Sequence, residues 1–84
     1  MEKAVIYANY FKQAQAGMDY AEEKGYQIIG MKNARHDIIG EDGMDVLLIV
    51  TGERKYRTYE EIQLIEKMEC WYDVEIVECK GDAQ

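Results

Sequence analysis

Runs of apolar residues alternate along this chain with segments in which apolar positions recur every three or four residues. The runs are rich in valine, isoleucine and other β-prone residues, which is typical of strands buried in a sheet. They predict strands over residues 4–8, 26–31 and 45–50. A fourth segment, residues 71–79, places Val74 and Ile76 on one face among acidic residues, which predicts a half-exposed edge strand.

The first helical pattern covers residues 10–24. Its apolar residues recur at helical spacing, and Gly25 follows where a glycine often ends a helix. Gly17 lies inside this pattern, where glycine destabilises a helix by about 1 kcal/mol relative to alanine. We therefore expect either a close backbone contact at Gly17 or a frayed turn. The apolar residues of the pattern are Phe11, Ala14, Met18 and Ala21.

A second helix is predicted over residues 59–70. Thr58 and Glu61 form a T-x-x-E capping box at its start. Ile62, Ile65 and Met68 follow at helical spacing, so this helix should also pack one apolar face on the sheet.

Polar segments separate these elements. Thr51 and Gly52 are expected to end the third strand ahead of the second helix. Residues 32–43 are mostly polar and contain two glycines, which predicts a loop between the second and third strands. Residues 81–84 are expected to form a tail.

The order strand, helix, strand, loop, strand, helix, strand predicts one α/β domain over residues 1–84. Right-handed crossovers then give a small three-layer domain, with a mostly parallel four-stranded sheet in the order 2-1-3-4 and helices on its faces. Ligands of such sheets bind at the carboxyl ends of the strands, near the point where the strand order reverses. At that rim we expect Asn9, Phe11, Gly52, Glu53, Arg54 and Arg57.

The charge of the chain limits its partners. Seventeen acidic and ten basic residues give a formal net charge of −7, which repels phosphate backbones at long range. We therefore expect DNA binding only weakly or through a partner. The longest apolar run is far shorter than a membrane span, and the N-terminus lacks the pattern of a secretory signal. A cytoplasmic location without membrane contact is the expectation.

The cysteines and the single histidine give little evidence of chemistry. Cys70 and Cys79 lack the spacing of a metal site, and no cofactor or metal is expected. The strand between them should hold their sulfurs apart, so both are predicted to be free, packed thiols. His36 lies in the polar loop, where a solvated side chain is expected rather than a general base.

Three segments, residues 4–15, 21–30 and 44–57, carry a resemblance to a known family. Together they resemble the N-terminal catalytic domain of the serine recombinases, the resolvase and invertase family. That family's first strand ends in Tyr-x-Arg-x-Ser, with a glutamine four residues after the serine, and Asp-Arg-x-x-Arg follows its third strand. The matching positions here hold Tyr7, Asn9, Phe11 and Gln15 in the first motif, and Glu53, Arg54 and Arg57 in the second.

The resemblance implies a fold without its catalysis. A serine recombinase attacks a DNA phosphate with the serine hydroxyl while arginines neutralise the charge of the transition state. Phe11 has no nucleophilic atom, and the amide of Asn9 cannot replace a guanidinium in bidentate phosphate contact. Tyr10 carries a hydroxyl, but one residue away on an extended backbone it would point elsewhere. We therefore expect no enzyme activity.

The chain also departs from the family in its length. Only residues 32–44 stand where the family has a longer insertion with a helix. On this likeness we expect the chain to lack the long helix of the recombinase dimer interface and the separate DNA-binding domain. It would then not work alone in DNA recombination, and the resemblance implies an accessory product of a mobile genetic element.

Two functions remain open at this point. In the first, the domain acts through contacts with a protein partner or with a second copy of itself, using the rim or the edge strand near Trp71 and Tyr72. In the alternative, Arg54 and Arg57 form a vestigial anion site that binds a small anion or a nucleotide phosphate. Against that alternative, the two arginines are expected to pair on the surface with Glu53, Glu60 or Glu61.

Overall fold

The computed structural model describes residues 1–32 and 43–79. They form four strands and two helices in the predicted order, with a short 3₁₀ turn before the second helix. The strands are β1 (Lys3–Tyr7), β2 (Gln27–Lys32), β3 (Val46–Gly52) and β4 (Val74–Cys79). The helices are α1 (Phe11–Lys24) and α2 (Tyr59–Trp71), and the 3₁₀ turn is Arg54–Tyr56.

The sheet is entirely parallel and its spatial order is β2-β1-β3-β4, which confirms the predicted topology. Its two central strands, β1 and β3, consist almost wholly of buried residues. Their near-continuous apolar sequence fits this position, because both faces of a central parallel strand are covered. The outer strands are more exposed, as predicted for β4.

One helix packs on each face, so the domain has three layers. On the α1 face, Ala14, Ala16 and Ala21 of the helix pack against a core that includes Ile6, Leu48 and Val50 of the sheet. On the α2 face, Ile65 and Met68 meet Val5, Leu47 and Ile49. Successive side chains of a strand point to opposite faces, so the apolar run of each central strand contributes to both cores, the one under α1 and the one under α2.

The predicted boundaries needed small corrections. Thr51 and Gly52 do not end β3, because Gly52 still pairs with Cys79 of the neighbouring strand. Tyr10 precedes α1 as its cap, and Lys32 belongs to β2 rather than to the polar loop. The rest of that loop, with His36, and the tail over 81–84 lie outside the described residues.

Gly17 and Gly25 have different roles in α1. Gly25 ends the helix in a left-handed conformation, with φ of 77°, as predicted from its position. A Cβ on Gly17 would lie 2.8 Å from methyl carbons of both Ile6 and Val50. Of the two explanations offered for this glycine, close contact is confirmed.

Candidate functional site

The rim at the carboxyl end of β1 has no nucleophile at the position that matches the recombinase serine. Phe11 occupies that position at the start of α1, and its side chain is 83 % exposed. Gln15, the counterpart of the family's glutamine, is exposed and donates a hydrogen bond to Asp19 at 3.4 Å. Gln13 is the buried glutamine of this turn, and its Oε1 accepts a hydrogen bond from the backbone N–H of Asn9 at 3.0 Å.

A second polar group lies at the carboxyl end of β3, on the α2 face. The Thr51 hydroxyl donates a hydrogen bond to a carboxylate oxygen of Glu61 at 3.0 Å. Tyr7 is buried nearby, and burial together with the negative charge of Glu61 raises the pKa of its hydroxyl. Tyr7 is therefore neutral at physiological pH and poorly suited to act as a nucleophile.

Arg57 joins the ends of β3 and β4. Its Nε donates to the carbonyl oxygen of Gly52 at 3.2 Å, and its terminal nitrogen donates to Glu78 at 3.0 Å. Only 11 % of its side chain is exposed. The ion pair expected for this arginine forms, but the predicted partners were wrong, because the register of β4 brings Glu78 to it.

Arg54 is exposed at the start of the 3₁₀ turn, and it meets no ion-pair partner among residues 1–32 and 43–79. The Glu53 carboxylate pairs instead with Lys55 at 3.7 Å. The nearby start of α2 is already occupied, because Thr58 accepts the Glu61 N–H at 3.1 Å and the first turn carries Glu60 and Glu61. These carboxylates oppose a phosphate at the helix N-terminus.

The predicted rim residues therefore fall into two places. Arg54 and Arg57 lie in a groove between α2 and β4, whereas Asn9 and Phe11 do not line it. This groove, called the α2–β4 groove below, has a volume of about 330 Å³. Its lining consists of Arg54, Arg57, Ile62, Ile65, Glu66, Glu69, Ile76 and Glu78.

Of the residues that line this groove, only Arg54 and Arg57 were predicted from the sequence as site residues. Ile62 was placed on the core face of α2 with Ile65, yet Ile62 remains 37 % exposed while Ile65 is buried. Glu66 and Glu69 follow Ile62 at four- and seven-residue steps, so all three occupy one helical stripe. The spacing of that stripe could be recognised in the sequence. Its position beside β4 could be known only from the folded structure.

The β4 edge beside the groove carries backbone groups that face away from β3. The backbone carbonyl of Asp73 accepts a hydrogen bond from Leu47 N–H of β3 at 2.7 Å. Alternate residues of a strand direct their backbone groups to the same side, so those of Val74, Ile76 and Glu78 point outward. No described strand pairs with this side of β4.

The opposite face of β4 is held by two tyrosines. Glu75 accepts hydrogen bonds from the hydroxyls of Tyr20, at 2.9 Å, and Tyr26, at 2.7 Å. The hydrogen bond to Glu75, with desolvation, raises the pKa of Tyr26 to about 12 and also raises the pKa of Tyr20. This cluster anchors β4 to α1 through Tyr20 and to the residue before β2 through Tyr26.

The remaining candidates carry little chemistry. Cys70 and Cys79 are free, as predicted, but Cys70 is exposed rather than packed, and burial raises the pKa of the Cys79 thiol. Within the described parts of the chain, no group of acidic, cysteine or histidine residues is arranged to hold a metal. Trp71 is 73 % exposed, whereas Tyr72 packs against the α2-side core.

The described helices include none long and apolar enough to cross a membrane. Comparison of the chain with family models, curated proteins and solved structures finds no significant match.

Proposed function

We propose that this chain is a catalytically inactive, resolvase-like domain that acts through protein–protein contacts. The observation that carries the proposal is the α2–β4 groove, which runs beside a sheet edge whose outward backbone donors and acceptors pair with no described strand. An unpaired edge strand is a template for pairing with another chain, and natural proteins usually cover or block such edges. Here Ile62 and Ile76 add an apolar surface next to that edge.

The rim residues support the absence of recombinase chemistry. Phe11 supplies no hydroxyl, and the neutral, buried Tyr7 is a poor nucleophile. Phosphoryl transfer also needs positive charge at the developing transition state. Arg57 is instead bonded to Gly52 and Glu78.

The alternative, a small-anion or nucleotide-phosphate site at Arg54 and Arg57, has weaker support. A phosphate would have to compete with Glu78 for Arg57, and Glu66 and Glu69 line the same groove. Phosphate binding by two guanidiniums is favourable when no carboxylate already holds them.

Position-specific photo-crosslinking tests the proposal. A photoreactive amino acid replaces Ile62 in the groove and, as a matched control, Met31 on the opposite sheet edge, which is 48 % exposed. We expect crosslinks to protein from position 62 in the cells that make the chain, at least tenfold more than from position 31. Equal yields from the two positions, or crosslinks to nucleic acid alone, would contradict the proposed function.

Incubation with supercoiled plasmid DNA tests the predicted inactivity. After denaturation, we expect no DNA covalently joined to the protein, because no serine stands at the nucleophile position. A covalent adduct that disappears in a Tyr10→Phe variant would show that Tyr10 has taken over the role.

A further inference from the structure

The α2–β4 groove has charges of opposite sign at its two ends. Arg54 lies beside the carboxyl end of β4, where Arg57 bonds Glu78. Helix α2 runs from that end back to the start of β4, since Trp71 ends the helix and β4 begins at Val74. Glu69, two residues before the helix end, therefore lies near the amino end of β4.

From this arrangement we infer that the partner of the β4 edge is a second copy of this chain, bound in antiparallel orientation. The inference rests on the proposed function and names the partner of the same surface. The two β4 strands pair about a two-fold axis perpendicular to the sheet, which extends the four strands into a continuous sheet of eight. A two-fold interface requires a self-complementary surface, and this groove supplies one.

The backbone of β4 is suited to this pairing. Val74, Ile76 and Glu78 direct their N–H and carbonyl groups outward, as the Leu47–Asp73 hydrogen bond requires. With the axis at Ile76, each Ile76 faces its counterpart and each Val74 faces the other copy's Glu78. The edge contains no proline, so every outward residue has an N–H to donate.

The side chains beside the edge match as well. The two α2 helices lie on the same face of the extended sheet and run in opposite directions. Ile62 and Ile76 of both copies then lie on one face of the interface as its apolar part. The reversed direction brings Arg54 of one copy to the end of the groove where the other copy has Glu66 and Glu69.

The charges of the groove favour a second copy of the chain over a peptide of one charge sign. A wholly basic peptide would meet Arg54 at one end of the groove, and a wholly acidic one would meet Glu66 and Glu69 at the other. An inverted copy satisfies both ends. The net charge of −7 on each copy opposes association at long range, and salt of about 0.15 M screens that repulsion beyond about 8 Å.

A charge-swap experiment tests the pairing by sedimentation equilibrium. The variants are Arg54→Glu and Glu69→Arg, both at exposed positions, with circular dichroism to confirm that each folds. The wild-type chain is expected to sediment at twice its mass of 9.8 kDa. Each variant alone should dimerise at least tenfold more weakly, because both symmetric contacts then join like charges.

The mixture of the two variants is the decisive sample. In a heterodimer of R54E with E69R, both contacts again join opposite charges, so the mixture should recover dimerisation to within about threefold of wild type. A monomeric wild-type chain at all concentrations, or a dimer unaffected by either variant, would overturn the inference.

The outcome separates this inference from the proposed function. A monomeric chain that still crosslinks through position 62 to a different protein refutes self-pairing alone. A chain that neither dimerises nor crosslinks from position 62 refutes both.

Discussion

Gly17 is the residue at which α1 comes closest to the sheet. Its hydrogen lies against the γ-methyl groups of Ile6 and Val50, two β-branched residues of the central strands. Such side chains have restricted rotamers and little freedom to move aside. The glycine therefore sets the distance between helix and sheet.

Replacing Gly17 with alanine should destabilise the domain by about 1–2 kcal/mol. Alanine gains about 1 kcal/mol of helix propensity, but overpacking of a filled core costs about 1–3 kcal/mol, and the 2.8 Å contacts place this site at the upper end. Urea unfolding measures the difference. Gln15→Ala, at an exposed site of the same helix, is the control and should change stability by less than about 0.5 kcal/mol. A more stable G17A variant would show that α1 can move away from the sheet.

Glu75 links β4 to two tyrosine hydroxyls, and this link has a defined pH dependence. The hydrogen bond to the carboxylate, with desolvation and the negative charge of Glu75, holds Tyr26 in its neutral form up to a pKa of about 12, above the ordinary value of 10. Because the pKa of Tyr26 is raised in the folded state, its hydrogen bond to Glu75 stabilises the fold below pH 10. That stabilisation is lost as the pH rises toward 12.

Replacing Glu75 with glutamine should lower the pKa of Tyr26 toward 10. The substitution removes the negative charge that opposes tyrosinate formation while it keeps a hydrogen-bond acceptor. NMR titration of ¹³Cζ-labelled tyrosine measures the shift, with exposed Tyr59 of the same sample as the internal reference. An unchanged Tyr26 pKa in E75Q would mean that the Tyr26–Glu75 hydrogen bond does not form in solution.

The roles of some residues could be predicted from the sequence, and the roles of others could not. Gly25 followed from the helical pattern, because a helix end needs the left-handed conformation that glycine adopts easily. The Arg57–Glu78 pair did not, because it joins residues 21 positions apart and depends on the register of two parallel strands. Gln13 was missed since a polar residue on a helix face gives no sign that it bonds the turn before it.

At the scale of elements, the capping box at the N-terminus of α2 both starts the helix and connects it to the sheet. Thr58 accepts the Glu61 N–H as a capping box requires. The Glu61 carboxylate, however, accepts from Thr51 at the end of β3. The same glutamate thus fixes the start of the helix and connects it to the sheet.

Thr58→Ala should destabilise the domain by about 1 kcal/mol, because it leaves the Glu61 N–H without its cap. Thermal or urea unfolding measures the loss. Thr58→Ser keeps a hydroxyl oxygen at the same place and should lie within about 0.5 kcal/mol of wild type. Equal losses in the alanine and serine variants would mean that the cap contributes nothing.

The order and type of the elements were predictable from the sequence because each has a distinct period. The apolar runs of β1 and β3 indicate strands covered on both sides, and the three- and four-residue steps indicate the helices. The end of β3 was misplaced, because Thr51 and Gly52 interrupt an apolar run without ending the hydrogen-bond ladder to β4. Local sequence cannot reveal how long a neighbouring strand continues.

At the scale of the whole molecule, the edge of the sheet at β4 differs from the rim at β1 and β3. The rim at β1 and β3 is where ligands of such folds bind, but here it presents exposed Phe11 and a buried, neutral Tyr7. The groove at β4 has apolar side chains and charges of both signs, and no described strand pairs with the outer side of β4. The sequence predicted that edge strand, whereas the groove depends on where α2 lies over it.

Amide NMR of the labelled protein tests most directly whether the domain acts through contacts at the β4 edge. Spectra are recorded at increasing protein concentration, and then at increasing phosphate at one protein concentration. We expect concentration-dependent shifts at Val74, Ile76, Glu78 and the exposed stripe of α2, and no saturable phosphate shifts over residues 52–58. Saturable phosphate shifts over residues 52–58, with a β4 edge unaffected by protein concentration, would contradict the proposed function and favour the anion site at Arg54 and Arg57.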